Sequence, residues 1–218
     1  MGGVERAVGW AALTALADGA RTVALHLLRS RASADLERQV ESELVIRLLE
    51  GTADAATAAS RLGLPHSLLR VIAVQAFIGA ERDAALLVAF ERATTGFGWS
   101  RPGRSALAGN TVYTLLPGEE ADTARRWVTG LRAALPDGVT MVAGISGVAV
   151  VADLPTARNE ADECLALHEG AHAPGGAPVA YDESWDDILL QRLRTAARSG
   201  RLPGAGTGGR AASPRPRA

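Results

Sequence analysis

The first fifty residues restrict the possible folds more than any other stretch. After Gly2-Gly3 at the start, they contain no helix breaker until Gly51 apart from Gly9 and Gly19. Within them Leu25, Leu28, Ala32, Leu36, Val40, Leu44 and Leu48 recur at spacings of three and four, which places them on one face of a helix. Gly51 is then the expected stop, because glycine readily adopts the left-handed conformation that closes a helix. The spacing drifts toward four, so a strict left-handed coiled coil is not implied. Two readings stay open: a helix that packs on a core, and a signalling helix that forms a dimer.

Downstream, breakers and periodicity alternate quickly. Asp54 to Leu62 is Ala-rich and helical, and Gly63-Leu64-Pro65 ends it. Arg70 to Phe77 is apolar and rich in β-branched residues, which predicts a buried strand. A helix over Arg82 to Ala93 follows. The segment Gly96 to Asn110 then leads into a strand at Thr111 to Leu116, predicting a β-hairpin that turns at Ala108-Gly109-Asn110. Glu119 to Leu135 reads as an amphipathic helix with acids in its first turn, where the helix dipole favours them. Val139 to Ile145 is a strand, Asp153 to about His168 a helix, Pro178 to Tyr181 a short edge strand and Trp185 to Arg198 a last helix. Helices first, then β-α-β-β-α-β-α-β-α, describe an α+β fold whose sheet is covered by helices and preceded by a long helical segment. From Ser199 the chain is Gly, Pro, Arg, Ala and Ser without periodicity, read as a disordered tail. The expected organisation is a helical segment over 1–50, a folded domain over 51–198 and the tail over 199–218.

Composition excludes several classes. With 47% hydrophobic residues over 218 positions, the chain is globular rather than fibrous or disordered. A formal net charge of −1 creates no field that would draw nucleic acid or an anionic bilayer. The most apolar run, Val4 to Leu28, is interrupted by Glu5, Arg6, Asp18, Arg21 and His26, so no membrane span is expected. The N-terminus lacks the features of a signal peptide. A lone cysteine, Cys164, rules out an internal disulfide and suits a reducing cytoplasm, the expected location. Every basic residue other than histidine is arginine, a usage typical of GC-rich genomes.

Several stretches together resemble a known family. Asp153-Leu154-Pro155-Thr156-Ala157-Arg158-Asn159-Glu160-Ala161, followed by Leu165-Ala166-Leu167, is similar to a recurrent stretch of PucR/CdaR-type transcriptional regulators. Glu43-Leu44 to Leu49-Glu50-Gly51, Ala58 to Leu64 before an apolar strand, and the hairpin closing in Leu115-Leu116-Pro117-Gly118 resemble it too, in the same order. The resemblance implies a GGDEF-like middle domain, related to the nucleotide cyclase fold, between a sensor and a helix-turn-helix. It implies that Val4 to Arg31 closes a sensor domain and that DNA is met only through a helix-turn-helix not seen in this chain. A Gly/Pro/Arg-rich ending is what a shifted frame in GC-rich DNA encodes, so a truncated regulator is expected.

A working cyclase of this fold holds its metals with acids in the hairpin turn and at the end of the first strand. The resemblance puts Ala108-Gly109-Asn110-Thr111-Val112 at the turn, so the acid positions carry Asn110 and Thr111. The first strand offers Gln75, Ala76 and Phe77, and Arg101-Pro102-Gly103-Arg104 holds no acid. No catalytic residue, metal site or cofactor is therefore expected. His26, His66, His168 and His172 are scattered without partners at ligand spacing. Cys164 lies on an apolar helix face and reads as core. Asp182, Glu183, Asp186 and Asp187 around Trp185 read as the solvated, capped start of a helix. Ala58 to Arg70 imitates a helix-turn-helix, but its second helix would run at once into Val71-Ile72-Ala73-Val74.

Two functions follow as expectations. One is a non-catalytic module that transmits a sensor state and dimerises through Leu25, Leu28, Leu36, Val40, Leu44 and Leu48, its effector unnamed. The other is a non-catalytic nucleotide or small-metabolite binder in which Arg101, Arg104, Gly109 and Asn110 lie near the pocket, the arginine pair gripping phosphate.

Overall fold

The computed structural model describes residues 2–79, 81–97, 103–170 and 176–198, with 2–18 and 169–170 described by their backbone alone. Arg101, His172 and the expected tail over 199–218 lie outside the described residues.

Helix α1 (Gly2–Leu49) is one unbroken element of 48 residues, about 72 Å long at the usual rise per residue. Gly51 stops it as expected: φ is +67°, Gly51 N–H bonds the Leu48 carbonyl and Thr52 N–H the Arg47 carbonyl, a Schellman closure. Helix α2 (Ala55–Leu62) starts at Asp54, whose carboxylate accepts from Thr57 N–H at 2.9 Å. That bond lowers the Asp54 pKa below its ordinary value.

The remaining elements are β1 (Leu69–Ile78), α3 (Asp83–Thr95), β2 (Arg104–Ala108), β3 (Thr111–Pro117), α4 (Ala121–Ala134), β4 (Val139–Ile145), α5 (Leu154–Ala166), β5 (Val179–Ala180) and α6 (Trp185–Arg198). They form a five-stranded sheet in the order β2-β3-β1-β4-β5, antiparallel except for the β4–β5 pair. The α+β class and the helix-covered sheet therefore match the pattern of periodicities. The helix-turn-helix imitation resolves as one helix only: after α2 the chain turns, Leu68 takes φ +58°, and Leu69 begins β1.

Alternation along each strand sorts side chains to two faces. Leu69, Val71, Ala73, Tyr113, Leu115 and Val142 face α2, α5 and the end of α1, whereas Ile72, Val74, Ala76, Val112, Met141 and Ile145 face α3 and α4. Helix α5 lies so close to β4 that a methyl at Gly144 would stand 2.1 Å from the Ala161 carbonyl oxygen. The small residues Ala161 and Cys164 make this approach possible, and both are buried.

The apolar stripe of α1 does not act as one face. Each step of four residues turns the helix about 40° beyond a full circle, so the run Leu36, Val40, Leu44, Leu48 winds around the axis. Leu48, with Val45 and Leu49, is buried on the sheet, and Leu48 is only 2% exposed. Leu44 is half-buried beside them. Leu25, Leu28, Leu36 and Val40 are exposed, Leu28 at 62%. The core-packing reading holds at the end of the helix: Leu44 and Leu48, expected in the dimer stripe, pack on their own domain instead.

Candidate functional site

The hairpin turn and the neighbouring end of β1 are where the fold would hold its chemistry. Ala108 pairs with Thr111, leaving a two-residue turn of Gly109 and Asn110. Only Gly109 has positive φ, +60°, the pattern of a turn that needs glycine first. Val74 lies opposite Val112, which sets Gln75 beside Thr111. The Gln75 amide donates to the Thr111 hydroxyl at 3.4 Å, and that hydroxyl donates to Asn110 Oδ1 at 3.3 Å. These bonds are long and weak, but they join the three positions into one neutral chain. Thr111 is buried, Gln75 half-buried and Asn110 exposed.

This donor set does not fit a pair of divalent cations. Such ions are held by carboxylates whose charge offsets their own, and none of these three groups ionises. Among the described residues no group of three His, Cys, Asp or Glu could hold a metal. His168 bonds the Ala143 carbonyl through Nε2 at 3.2 Å. Cys164 is wholly buried with its thiol toward the Ile145 carbonyl, and burial pushes its pKa up to about 12.

Arg104 does not join Gly109 and Asn110. It begins β2 while the turn follows Ala108, about 14 Å away along an extended strand. Its guanidinium is engaged elsewhere: Nε donates to the Leu62 carbonyl at 2.7 Å, and Nη1 to both oxygens of Glu41 at 3.0 Å. One side chain thus ties α1, the end of α2 and the hairpin together. Its presumed companion, Arg101, lies outside the described residues.

Sequence reasoning missed where the charges go. Arg70 is 3% exposed, a position where a cation is stable only if paired. It donates to the carbonyls of Glu119 and Ser146 and pairs with Asp182 at 2.8 Å. Glu183 pairs with Arg125 of α4, which lowers its pKa. Asp182 and Glu183 therefore dock the chain entering α6, beyond the solvated helix start read from sequence. Arg192 of α6 grips both oxygens of Glu163 on α5. Under α5, Tyr113 donates to Asp162 at 2.7 Å, with Arg158 stacked over its ring. Burial raises the Asp162 pKa above the ordinary 3.8. The signal available in sequence was an arginine, Arg70, at the start of a run of apolar residues, Val71 to Val74.

No helix among the described residues is long and apolar enough to cross a membrane. No functionally curated protein matches the chain. Among solved structures, the regulator of polyketide synthase expression from Bifidobacterium adolescentis is similar over 73% of this chain and 62% of that one, at 17% identity and a TM-score of 0.44. The chain thus spans less than two thirds of that regulator's length. Residues 47–167, more than half the chain, match the family profile described as GGDEF-like domain. They run from the buried end of α1 to the close of α5 and include the hairpin and every strand except β5. The chain belongs to the GGDEF-like domain family.

Proposed function

We propose that this chain is the non-catalytic relay domain of a PucR/CdaR-type transcriptional regulator, passing the state of a sensor along α1 into the sheet. The observation that carries the reading is the continuity of α1, which runs without a break from Gly2 into the buried cluster of Val45, Leu48 and Leu49. A helix anchored in this way moves as a rod. Arg104 couples any tilt of the rod to α2 and to the hairpin through Glu41 and the Leu62 carbonyl. The exposed half, with Leu25, Leu28, Leu36 and Val40 uncovered, supports pairing with a second copy. DNA contact in this reading belongs to a helix-turn-helix module and not to this domain. The neutral chain Gln75–Thr111–Asn110 supports the absence of catalysis.

The test is to incubate the protein with GTP or ATP and magnesium or manganese, following both product and thermal unfolding. The expected result is no cyclised or condensed nucleotide and an unchanged Tm. Turnover would overturn the non-catalytic reading. A rise in Tm with nucleotide would favour a ligand-binding domain, because a ligand that binds only the folded state stabilises it.

A further inference from the structure

The exposed leucines are not the whole of the free surface on α1. A second series along the helix, Leu25, Leu28, Ala32, Asp35, Gln39, Ser42 and Ile46, is spaced 3, 4, 3, 4, 3, 4. That spacing keeps a seam straight against a supercoiled partner. The apolar pattern hides it, because its middle is polar. Its lower members, Asp35, Gln39, Ser42 and Ile46, line a groove of about 480 Å³ whose other walls include Phe90 of α3 and Leu107 of β2. Phe90 and Leu107 are both half-buried apolar side chains at this groove. Its upper members project beyond the domain, where residues 19–40 are exposed throughout.

We infer that the groove is the seat of α1 from a second copy of this chain, lying parallel to its own α1, with Phe90 and Leu107 as the floor. This rests on the dimer reading above and specifies its surface. Charge complementarity selects the parallel partner. In a parallel pair the residues flanking the seam meet at an offset of five, which brings Arg38 of one helix to Glu43 of the other. Both border the groove. Gln39 meets its own counterpart, a polar core contact of the kind that fixes register. Asp35 would meet its counterpart as well, and Arg38 already pairs with it at 2.6 Å, reducing that repulsion. Two-fold symmetry gives each helix the floor of the other domain, so the interface is two helices flanked by two sheet edges.

Cysteine cross-linking of the full chain tests this, since Cys164 is fully buried. Gln39→Cys sits in the seam and Glu37→Cys on the outer face; both positions are exposed. Mild oxidation is expected to link Q39C into a dimer and to leave E37C unlinked. Leu107→Arg, which places charge on the floor, is expected to weaken self-association about tenfold or more. Phe90→Ser provides an independent floor variant should Leu107→Arg fail to fold. If the chain sediments as a dimer but Q39C links no better than E37C, the seam is wrong while the dimer reading stands. If the chain sediments as a monomer at every concentration reached, both fall.

Discussion

The two halves of α1 share one helix and one residue vocabulary, yet only one of them is part of a core. Around Leu48 the helix meets a sheet and its leucines vanish from solvent. Around Leu28 the same kind of residue stands 62% exposed. Burying such a side chain is worth about 1.5–3 kcal/mol, so the lower half is held by its own domain. In proteins most of a helix's stability comes from packing an apolar face rather than from propensity. The difference shows that a leucine count along a helix does not say what the leucines face. The reach of the helix decides that: residues 19–40 extend past the domain and are exposed on every face, and the domain claims only the end of the stripe that lies on it.

The contrast breaks most easily at its extremes. Leu48→Ala is expected to cost the domain about 2–5 kcal/mol by creating a core cavity, whereas Leu28→Ala changes domain unfolding by less than about 0.5 kcal/mol. Urea denaturation of both variants measures this, and equal costs would erase the distinction between the halves. A smaller effect is expected where α1 leaves for α2. Gly51→Ala forces a side chain into left-handed backbone, at about 1–2 kcal/mol, and its methyl stands 3.2 Å from Pro155 Cγ. Thermal melts should show the loss, with self-association unchanged.

At the border between the halves, Arg104→Gln removes the tie to Glu41. Both partners are partly exposed, so the stability cost is at most about 1 kcal/mol. The sharper readout is hydrogen exchange: amides near Glu41 should exchange faster while those of β1 do not. No change near Glu41 would mean that Arg104 couples nothing.

The smallest effect lies under α5. Because burial raises Asp162 above 3.8, the folded state holds a proton there that the unfolded state has already released. Its contribution to stability therefore falls as pH rises from 3.8 through the raised value, and is recovered as pH falls back toward 3.8. Asp162→Asn keeps an acceptor for Tyr113 but removes the titration. Wild type should therefore gain relative to the variant as the solution is acidified from neutral toward that range. A gain in the opposite direction would contradict the burial of this carboxylate.

Much of the fold was legible in the residues. Gly51, the Gly63 turn and Gly109-Asn110 punctuate the chain strongly, and β1 and β4 are rich in β-branched apolar residues, so the element order follows from local signals. The neutral turn was legible for the same reason, since Asn110 and Thr111 are read directly. The long-range polar contacts were not. Nothing near Arg70 in sequence announces that Asp182 will neutralise it, because only the folded sheet brings β1 against the chain entering α6. Arg104 misled in the opposite way. Closeness to Gly109 in sequence became distance in space, because an extended strand carries its two ends far apart.

Sedimentation equilibrium of the full chain beside Leu28→Glu tests the central claim most directly: the free half of α1 is an association surface and the anchored half a structural one. The expected result is a dimer for the natural sequence, with a Tm that rises with protein concentration, and a folded monomer for the variant, with a Tm that does not. A monomeric natural chain, or a variant that stays dimeric, would contradict it.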